Sequence, residues 1–442
     1  MVFGGPAARP DRRNRIDARS SRGPEFPPTI GRGFVFASSS AAAALYVQLF
    51  FRVVSLGLVA RTLGPTAQGT VALATLLATA GTGVASVGLD VSLLRLAARP
   101  EDRETAHAGV WTQSLLITAV TPVALAVLAA TGHLTTPAAA GIAAIPGFLF
   151  LRLAASCALA AGRLGSFIAT STTQAATYCL GLIALAVAGE LTPTAAVVVF
   201  AITANASAIG AALWVRAWLR PQLLKPSHRT EPYRTAMQVF PGSVAHLANS
   251  RFDQFVIAAL LSRRELGLYS VATAAAEILV LPTQAFANAL LPHARRRRFS
   301  SEPLRVARIA PAAAFTVLAG APFVFVAIKV FLPRYDESLL PFALLLPGVA
   351  ALGVGGILAA FITGAGEPWR PSQIALVTLG LTVITTLVAV PLLGIAGAAL
   401  ASSVAYAVSM SLLIRAVRRL HPLPEQPDQP VGAAEYERQL PG

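Results

Sequence analysis

Charged residues and cysteine are both scarce in this sequence of 442 residues. Asp, Glu, Lys and Arg together make up 12% of the chain, whereas 55% of its residues are hydrophobic. Soluble domains carry about 25% charged residues, so the composition excludes a soluble globular fold. The only cysteines, Cys157 and Cys179, lie inside apolar segments. This argues against a disulfide framework, and we expect both to pack as small hydrophobic residues.

Long connections that could form an external catalytic domain are also absent. The segments between apolar runs on the predicted outer side are short, and no Gly-x-x-x-x-Gly-Lys loop for nucleotide binding occurs. Direct use of ATP is therefore not indicated, and we expect no catalytic residues, no metal site and no cofactor. A membrane glycosyltransferase or polymerase, which would be expected to display catalytic residues on sizeable outer loops, stays as a minor alternative.

Apolar segments recur along almost the whole chain. A bilayer span needs about 20 predominantly apolar residues, and this requirement is met repeatedly between Phe34 and Ile414. We predict an all-α integral membrane protein of about twelve transmembrane helices. The predicted spans are 34–60, 69–94, 107–130, 137–160, 165–188, 193–217, 236–261, 267–291, 306–331, 338–362, 372–391 and 395–417.

Positive charge is concentrated in the segments predicted to face the cytoplasm. The net charge is +15, from 35 basic and 20 acidic residues. With the N-terminus inside, the cytoplasmic segments hold 27 basic residues and the outer segments hold 5. By the positive-inside rule, both termini are cytoplasmic. The 33 Arg against 2 Lys and the abundant Ala suggest a bacterial cytoplasmic membrane.

Two basic regions need their own interpretation. Residues 1–33 carry seven Arg in a Pro- and Gly-rich leader without an apolar run, so we predict a disordered cytoplasmic tail rather than a signal peptide. The run of four arginines at 295–298 is predicted to contact anionic membrane lipids. No aromatic residue lies between Arg9 and Arg22 or within the run at 295–298, as a base-stacking surface would require, so nucleic-acid binding is not expected.

The two halves of the chain resemble each other. A shift of 198 residues aligns GTVALA at 69–74 with GLYSVA at 267–272. Because six helices return the chain to its starting side, the halves should be related by a pseudo-twofold axis along the membrane normal. The predicted organisation is a first six-helix lobe at 34–218, a cytoplasmic linker at 219–235, a second six-helix lobe at 236–418 and a disordered cytoplasmic tail at 419–442.

Polar residues inside the predicted helices recur in equivalent places of the two halves. A charge near the bilayer centre costs ~3 kcal/mol, so such residues should face a cavity or form buried pairs, although Ser and Thr also pack helices together. The stripe of helix 2 is Thr75, Thr79, Thr82, Ser86 and Asp90, and its counterpart in helix 8 is Thr273, Glu277, Val280, Gln284 and Asn288. Helix 1 carries Gln48, Arg52 and Ser55, and helix 7 carries His246, Ser250 and Asp253.

Several motifs resemble those of a known family. LVARTLGPTAQG at 58–69, followed by GLD at 88–90, is similar to the opening of Wzx-type flippases and other polysaccharide biosynthesis proteins. RFD at 251–253 with ELGLYSVA at 265–272 is similar to the start of their second half, and GIAGAALA at 394–401 is similar to their closing segment. The resemblance spans roughly residues 34–418.

The resemblance implies membership of the multidrug/oligosaccharidyl-lipid/polysaccharide exporter superfamily. Its members have two six-helix lobes around a central cavity that opens alternately to each side. The Wzx-type members move polyprenyl-diphosphate-linked oligosaccharides to the outer leaflet, which implies such a substrate here and polysaccharide polymerases or glycosyltransferases as partners. A cation-coupled drug or metabolite antiporter is the alternative within the superfamily. Lipid II flippases usually carry two further helices, which this chain lacks.

Arg52 is the leading candidate for substrate binding. Guanidinium stays charged and binds phosphate oxygens bidentately, so Arg52 could anchor a diphosphate, with Gln48 and Ser55 beside it. An ion pair with Asp253 is the alternative. On helix 7, His246, Ser250 and Asp253 are expected to line the cavity, with His246 and Asp253 also candidates for coupling to H⁺ or Na⁺.

The remaining membrane charges are candidates for structural pairs. Arg251 and Glu277 lie at the same depth on adjacent helices, so we predict a mainly structural pair. Arg152 either faces the cavity or extends toward the inner interface. Asp90 is expected to pair with Arg95 or with loop arginines.

Overall fold

The computed structural model describes residues 30–224, 230–296, 303–364, 367 and 369–419. Within these ranges the chain forms twelve α-helices and two 3₁₀ segments, and no β-strand. The predicted all-α fold is confirmed. The predicted tails lie almost entirely outside the described residues, as do the side chains of the arginine run at 295–298.

The helices follow the apolar segments closely. Eight of the described helices are long and apolar enough to cross a membrane. Counting α2 and α3 as one span, and α12 as two, the described helices give the twelve predicted spans. The helices are α1 (Ile30–Leu63), α2 (Pro65–Ala85), α3 (Leu89–Leu96), α4 (Arg103–Ala130), α5 (Thr136–Ala160), α6 (Leu164–Val187), α7 (Pro193–Val215), α8 (Thr230–Leu260), α9 (Arg263–Arg296), α10 (Pro303–Phe331), α11 (Leu339–Gly364) and α12 (Trp369–Arg418).

Short turns in the first lobe have a simple sequence basis. α4, α5 and α6 are each followed by a glycine with positive φ, at Gly132, Gly162 and Gly189, the conformation that terminates many helices. α2, α5 and α7 each carry proline in the first turn, where its missing N–H costs nothing. These signals fix the helix ends within a few residues of the prediction.

The predicted continuous second helix at 69–94 is wrong. α2 ends at Ala85 and α3 begins at Leu89, and between them Val87 and Gly88 adopt φ of 49° and 75°. A Cβ at Gly88 would lie 2.6 Å from the carbonyl oxygen of Ala236 on α8. The break therefore accompanies a close approach of α8 that only glycine permits.

Helix packing repeats between the two lobes. In the first lobe α1 packs along α6 and α2 along α5; in the second, α8 packs along α12 and α9 along α11. α12 itself holds two spans, because Gly394 interrupts it with a φ of 59°. This equivalence of partners agrees with the internal repeat seen in the sequence.

The lobes meet at the end of the molecule that carries the α1–α2 turn. A Cβ on Gly69 would collide with the carbonyl oxygen of Arg263, and a Cβ on Gly267 would collide with that of Pro65. Gly69 and Gly267 are 198 residues apart, the shift of the repeat, so each lobe makes the same contact with the other. α2 and α9 therefore cross in close contact at this end of the molecule.

Candidate functional site

Two cavities lie among the helices. The interlobe cavity, about 570 Å³, is lined by both lobes, and the second-lobe cavity, about 690 Å³, is lined by α1, α8, α9, α11 and α12. The residues that line both cavities are Leu49, Arg52, Arg251, Thr273 and Glu277. Three charged side chains therefore stand where the cavities meet, and we call Arg52, Arg251 and Glu277 the charged junction.

The charged junction has an excess of positive charge. Arg251 Nη1 lies 2.9 Å from Glu277 Oε1, so the predicted contact between these residues is present. Arg52 makes no hydrogen bond or ion pair with any residue that the structure describes, although its side chain is exposed to the cavities. Two guanidinium groups thus face one carboxylate, which leaves a site suited to an anionic ligand.

The neighbours of Arg52 on its predicted stripe divide between the two cavities. Ser55 lines the interlobe cavity, and its hydroxyl donates to the carbonyl of Phe51 at 2.8 Å. Gln48 lines the second-lobe cavity. Arg52 alone of the three lines both, which places it at the passage between them.

Asp253 is not the partner of Arg52. Its Oδ2 accepts hydrogen bonds from Tyr269 Oη at 2.5 Å and Ser402 Oγ at 2.9 Å, and its Oδ1 accepts from the backbone N–H of Gln254 at 2.7 Å. The side chain is buried, at 3% exposure. The alternative pairing of Arg52 with Asp253 is therefore wrong for this structure, because neighbouring groups of its own lobe satisfy the carboxylate.

His246, Ser250 and Asp253 all line the second-lobe cavity, as their shared face on α8 predicts. Ser250 Oγ donates to the carbonyl of Leu247 at 2.9 Å. The predicted group is thus assembled, but it lies on the wall of the second-lobe cavity rather than in the interlobe cavity.

Arg152 and Asp90 pair with each other, a contact that the sequence did not predict for either residue. Arg152 Nη2 and Nε donate to Asp90 Oδ2 at 2.5 Å and 3.1 Å. The side chain of Arg95, the partner expected for Asp90, lies outside the described residues. Neither Arg152 nor Asp90 lines the interlobe or the second-lobe cavity, so of the two places expected for Arg152 these cavity walls are not the one observed. Asp90 forms an ion pair as expected, but with a different arginine. The helix break at Gly88 accounts for this, because it redirects Asp90 on α3 toward α5.

Only the first half of the polar stripe on α2 lines the interlobe cavity. Thr75 and Thr79 line the interlobe cavity, whereas Thr82 and Ser86 are buried and line neither cavity, contrary to expectation. α8 covers this part of α2, since Leu247 packs against Gly83. On α9, Gln284 lines the second-lobe cavity, and the side chain of Asn288 lies outside the described residues.

Six polar residues of the interlobe cavity were not predicted as site residues: Arg61, Gln68, Gln174, Tyr178, Gln254 and Ser270. Gln68 Nε2 lies 3.4 Å from Ser270 Oγ across the lobe contact. Gln174 and Tyr178 lie four residues apart on α6, which corresponds to the predicted apolar span 165–188. The i, i+4 spacing of two polar residues was the available signal.

A family model described as "Polysaccharide biosynthesis protein" matches residues 58–329. The match covers the helices that build the interlobe cavity, from the end of α1 through most of α10. No curated protein matches the chain.

Solved structures of membrane transporters share the fold. An inward-facing multidrug resistance transporter of the MATE family, in the MOP superfamily, aligns with a TM-score of 0.66 at 13% identity, over 84% of this chain and 94% of that one. The lipid II flippase MurJ in an inward closed conformation aligns with a TM-score of 0.65 at 13% identity, over 87% of each chain. The MATE multidrug transporter DinF-BH aligns at 0.57 and 15% identity, over 91% and 99%. At these identities the likeness is one of fold.

Proposed function

Because this chain belongs to the polysaccharide biosynthesis protein family, we propose that it is an alternating-access transporter that flips a polyprenyl-diphosphate-linked oligosaccharide. The movement runs from the inner to the outer leaflet of a bacterial cytoplasmic membrane, with both chain termini in the cytoplasm. The product supplies cell-surface polysaccharide synthesis, so glycosyltransferases and a polymerase are its functional partners.

The unpartnered guanidinium of Arg52 carries this proposal. Placing a charge inside the membrane costs ~3 kcal/mol, and the nearby carboxylate of Glu277 is already ion-paired with Arg251, so Arg52 has no hydrogen-bonded counter-ion of its own among the described residues. A diphosphate supplies the missing anion and can accept two parallel hydrogen bonds from one guanidinium. The Arg251–Glu277 pair beside it holds a second arginine in place without cancelling the net positive charge.

A deletion strain complemented with variants tests this function. The deletion should accumulate lipid-linked oligosaccharide on the cytoplasmic leaflet, and wild-type protein should clear it. Arg52→Ala should fail to clear it at near-normal membrane abundance, and Arg52→Lys should retain part of the activity because it keeps the charge but loses the bidentate geometry.

Arg216→Ala is the matched control, because Arg216 is an exposed arginine at the end of α7 that lines neither cavity. It should behave as wild type. An abundant and fully active Arg52→Ala protein would remove Arg52 from the substrate site.

One observation favours a cation-coupled antiporter as the second candidate. Asp253 is a buried carboxylate on the wall of the second-lobe cavity, and membrane carboxylates often carry protons or cations. If this candidate is right, the expressed protein should extrude a fluorescent cationic dye such as ethidium, and Asp253→Asn should abolish extrusion. In the flippase, Asp253 instead serves coupling to H⁺ or Na⁺, and dye extrusion should not occur.

A further inference from the structure

One wall of the interlobe cavity is neutral and carries unused hydrogen-bonding groups. It is formed by Phe148 of α5, Gln174 and Tyr178 of α6 and Phe200 of α7, and we call it the α6 wall. The charged residues that line the cavity come from other helices, α1, α8 and α9. Tyr178 and Phe200 pack edge to face with ring centroids 5.3 Å apart, which fixes the aromatic part of the wall.

Gln174 is buried, at 7% exposure, and forms no hydrogen bond with its side chain in the part of the chain that the structure describes. Its amide offers two donors and an acceptor. One helical turn away, the Tyr178 hydroxyl is buried and also has no partner among the described residues. Buried polar groups are almost always hydrogen-bonded, so the unpaired Tyr178 hydroxyl, one turn from a Gln174 amide that lines the same cavity, indicates a ligand rich in hydroxyl groups.

The α6 wall lies beside the proposed diphosphate anchor. Arg52 is eleven residues before the end of α1, and Gln174 is thirteen residues before the end of α6. At 1.5 Å per residue these positions are about 17 Å and about 20 Å from the same end of the lobe. Since α1 packs along α6 and both residues line one cavity, a group attached to a diphosphate on Arg52 would meet this wall.

We infer that the α6 wall is a carbohydrate subsite that binds the sugar joined directly to the diphosphate. This inference rests on the proposed function and adds the chemistry of the first sugar. The amide of Gln174 and the hydroxyl of Tyr178 form hydrogen bonds with sugar hydroxyls, and the aromatic rings pack against an apolar face of the sugar. Because the wall has no charge, it selects a neutral hexose or N-acetylhexosamine over a charged sugar such as a uronic acid.

Binding to the purified full-length protein tests the subsite with four probes. These are undecaprenyl diphosphate and the same lipid carrying glucose, galactose or N-acetylglucosamine. Wild type should bind at least one sugar-bearing probe about tenfold or more tightly than undecaprenyl diphosphate, because a site built to bond hydroxyls rejects a ligand that lacks them. Gln174→Ala and the conservative Tyr178→Phe should each lose most of this gain in affinity from the sugar. Both variants should bind undecaprenyl diphosphate as wild type does.

Thr172→Val is the matched control on α6, because the Thr172 hydroxyl donates to the carbonyl of Ile168 at 2.8 Å and the residue lines neither cavity. Thr172→Val should keep the full gain in affinity from the sugar. A sugar gain that survives both Gln174→Ala and Tyr178→Phe, or that wild type lacks with all three sugars, overturns the subsite. Wild type that does not bind undecaprenyl diphosphate at all contradicts the proposed function itself, and the subsite with it.

Discussion

Arg52 and Arg152 both lie inside transmembrane segments, yet their surroundings differ. Arg152 on α5 donates two hydrogen bonds to Asp90 and lines neither cavity. Arg52 on α1 has no partner among the described residues and lines both cavities. The difference comes from the neighbouring helices, since α3 presents a carboxylate to Arg152 alone, whereas the carboxylate nearest Arg52, Glu277 on α9, is ion-paired with Arg251. An intramembrane arginine therefore indicates a ligand only when the protein leaves it unpaired.

Arg251 is intermediate between these two. It is paired with Glu277 at 2.9 Å, but the pair lies at the cavity junction beside Arg52. Glu277 joins α9 to α8 as Asp90 joins α3 to α5, and it also limits the positive charge at the junction. Replacing the acidic partners Glu277 and Asp90 one at a time distinguishes the roles of the two pairs.

The largest effect is expected for Glu277→Gln, which leaves two guanidinium groups facing each other at the junction. Stranding one member of a buried pair costs about 3–5 kcal/mol, and the cost here is smaller because Glu277 is half exposed to the cavities. Folded yield in detergent should fall, as measured by size-exclusion chromatography. Adding Arg251→Gln should partly restore the folded yield. If the yield losses of the two single variants simply add in the double variant, the pair is not structural.

A smaller effect is expected for Asp90→Ala, which leaves Arg152 without a partner. The side chain of Arg152 is 45% exposed, so water or lipid headgroups can solvate the stranded charge in part. The thermal midpoint of the purified protein should fall, and Arg152→Gln in the same chain should recover most of the loss. Substrate binding should not change, because neither residue lines the interlobe cavity or the second-lobe cavity. Weakened binding at normal stability would contradict the comparison.

The smallest effect is expected for the exposed pair of Arg264 and Glu337, which lie just outside the predicted spans 267–291 and 338–362. Arg264 donates two hydrogen bonds of 2.7 Å to Glu337, and these bonds hold the pKa of the Glu337 carboxyl below its usual range. A lowered carboxyl pKa contributes stability above the unfolded pKa, and this contribution is lost as pH falls through the folded pKa. Glu337→Gln should match wild type within error at neutral pH, since exposed pairs contribute little.

The same variant should show a slightly weaker loss of thermal stability than wild type on acidification. Acid sensitivity equal to that of wild type would show that this pair makes no measurable contribution. A large loss of stability at neutral pH would contradict the ranking of the pairs by burial.

Most of the fold could be predicted from the sequence because lipid leaves the chain few choices. Backbone polar groups in a bilayer must be satisfied within each helix, so apolar segments of sufficient length identify the spans directly. The break at Gly88 could not be predicted in this way, because a glycine in an apolar segment looks like any small residue until the carbonyl of Ala236 is seen beside it.

Parts of the site could also be predicted, and the limits have a physical basis. The contact of Arg251 with Glu277 follows from equal depth on two helices joined by a short turn. The contact of Asp90 with Arg152 joins helices that are not consecutive, so depth alone could not select it. The spacing of Gln174 and Tyr178 marks one polar face of α6, but which space that face lines follows only from the packing of α1 on α6.

The central claim is that Arg52 recognises the diphosphate of a lipid-linked substrate, and binding to three lipids of equal chain length tests it most directly. Wild-type protein should bind undecaprenyl diphosphate more tightly than undecaprenyl phosphate, and the phosphate more tightly than uncharged undecaprenol. Arg52→Ala should bind all three with similar dissociation constants, and Arg52→Lys should keep part of the preference. If Arg52→Ala retains the wild-type preference for the diphosphate, Arg52 is not the anchor.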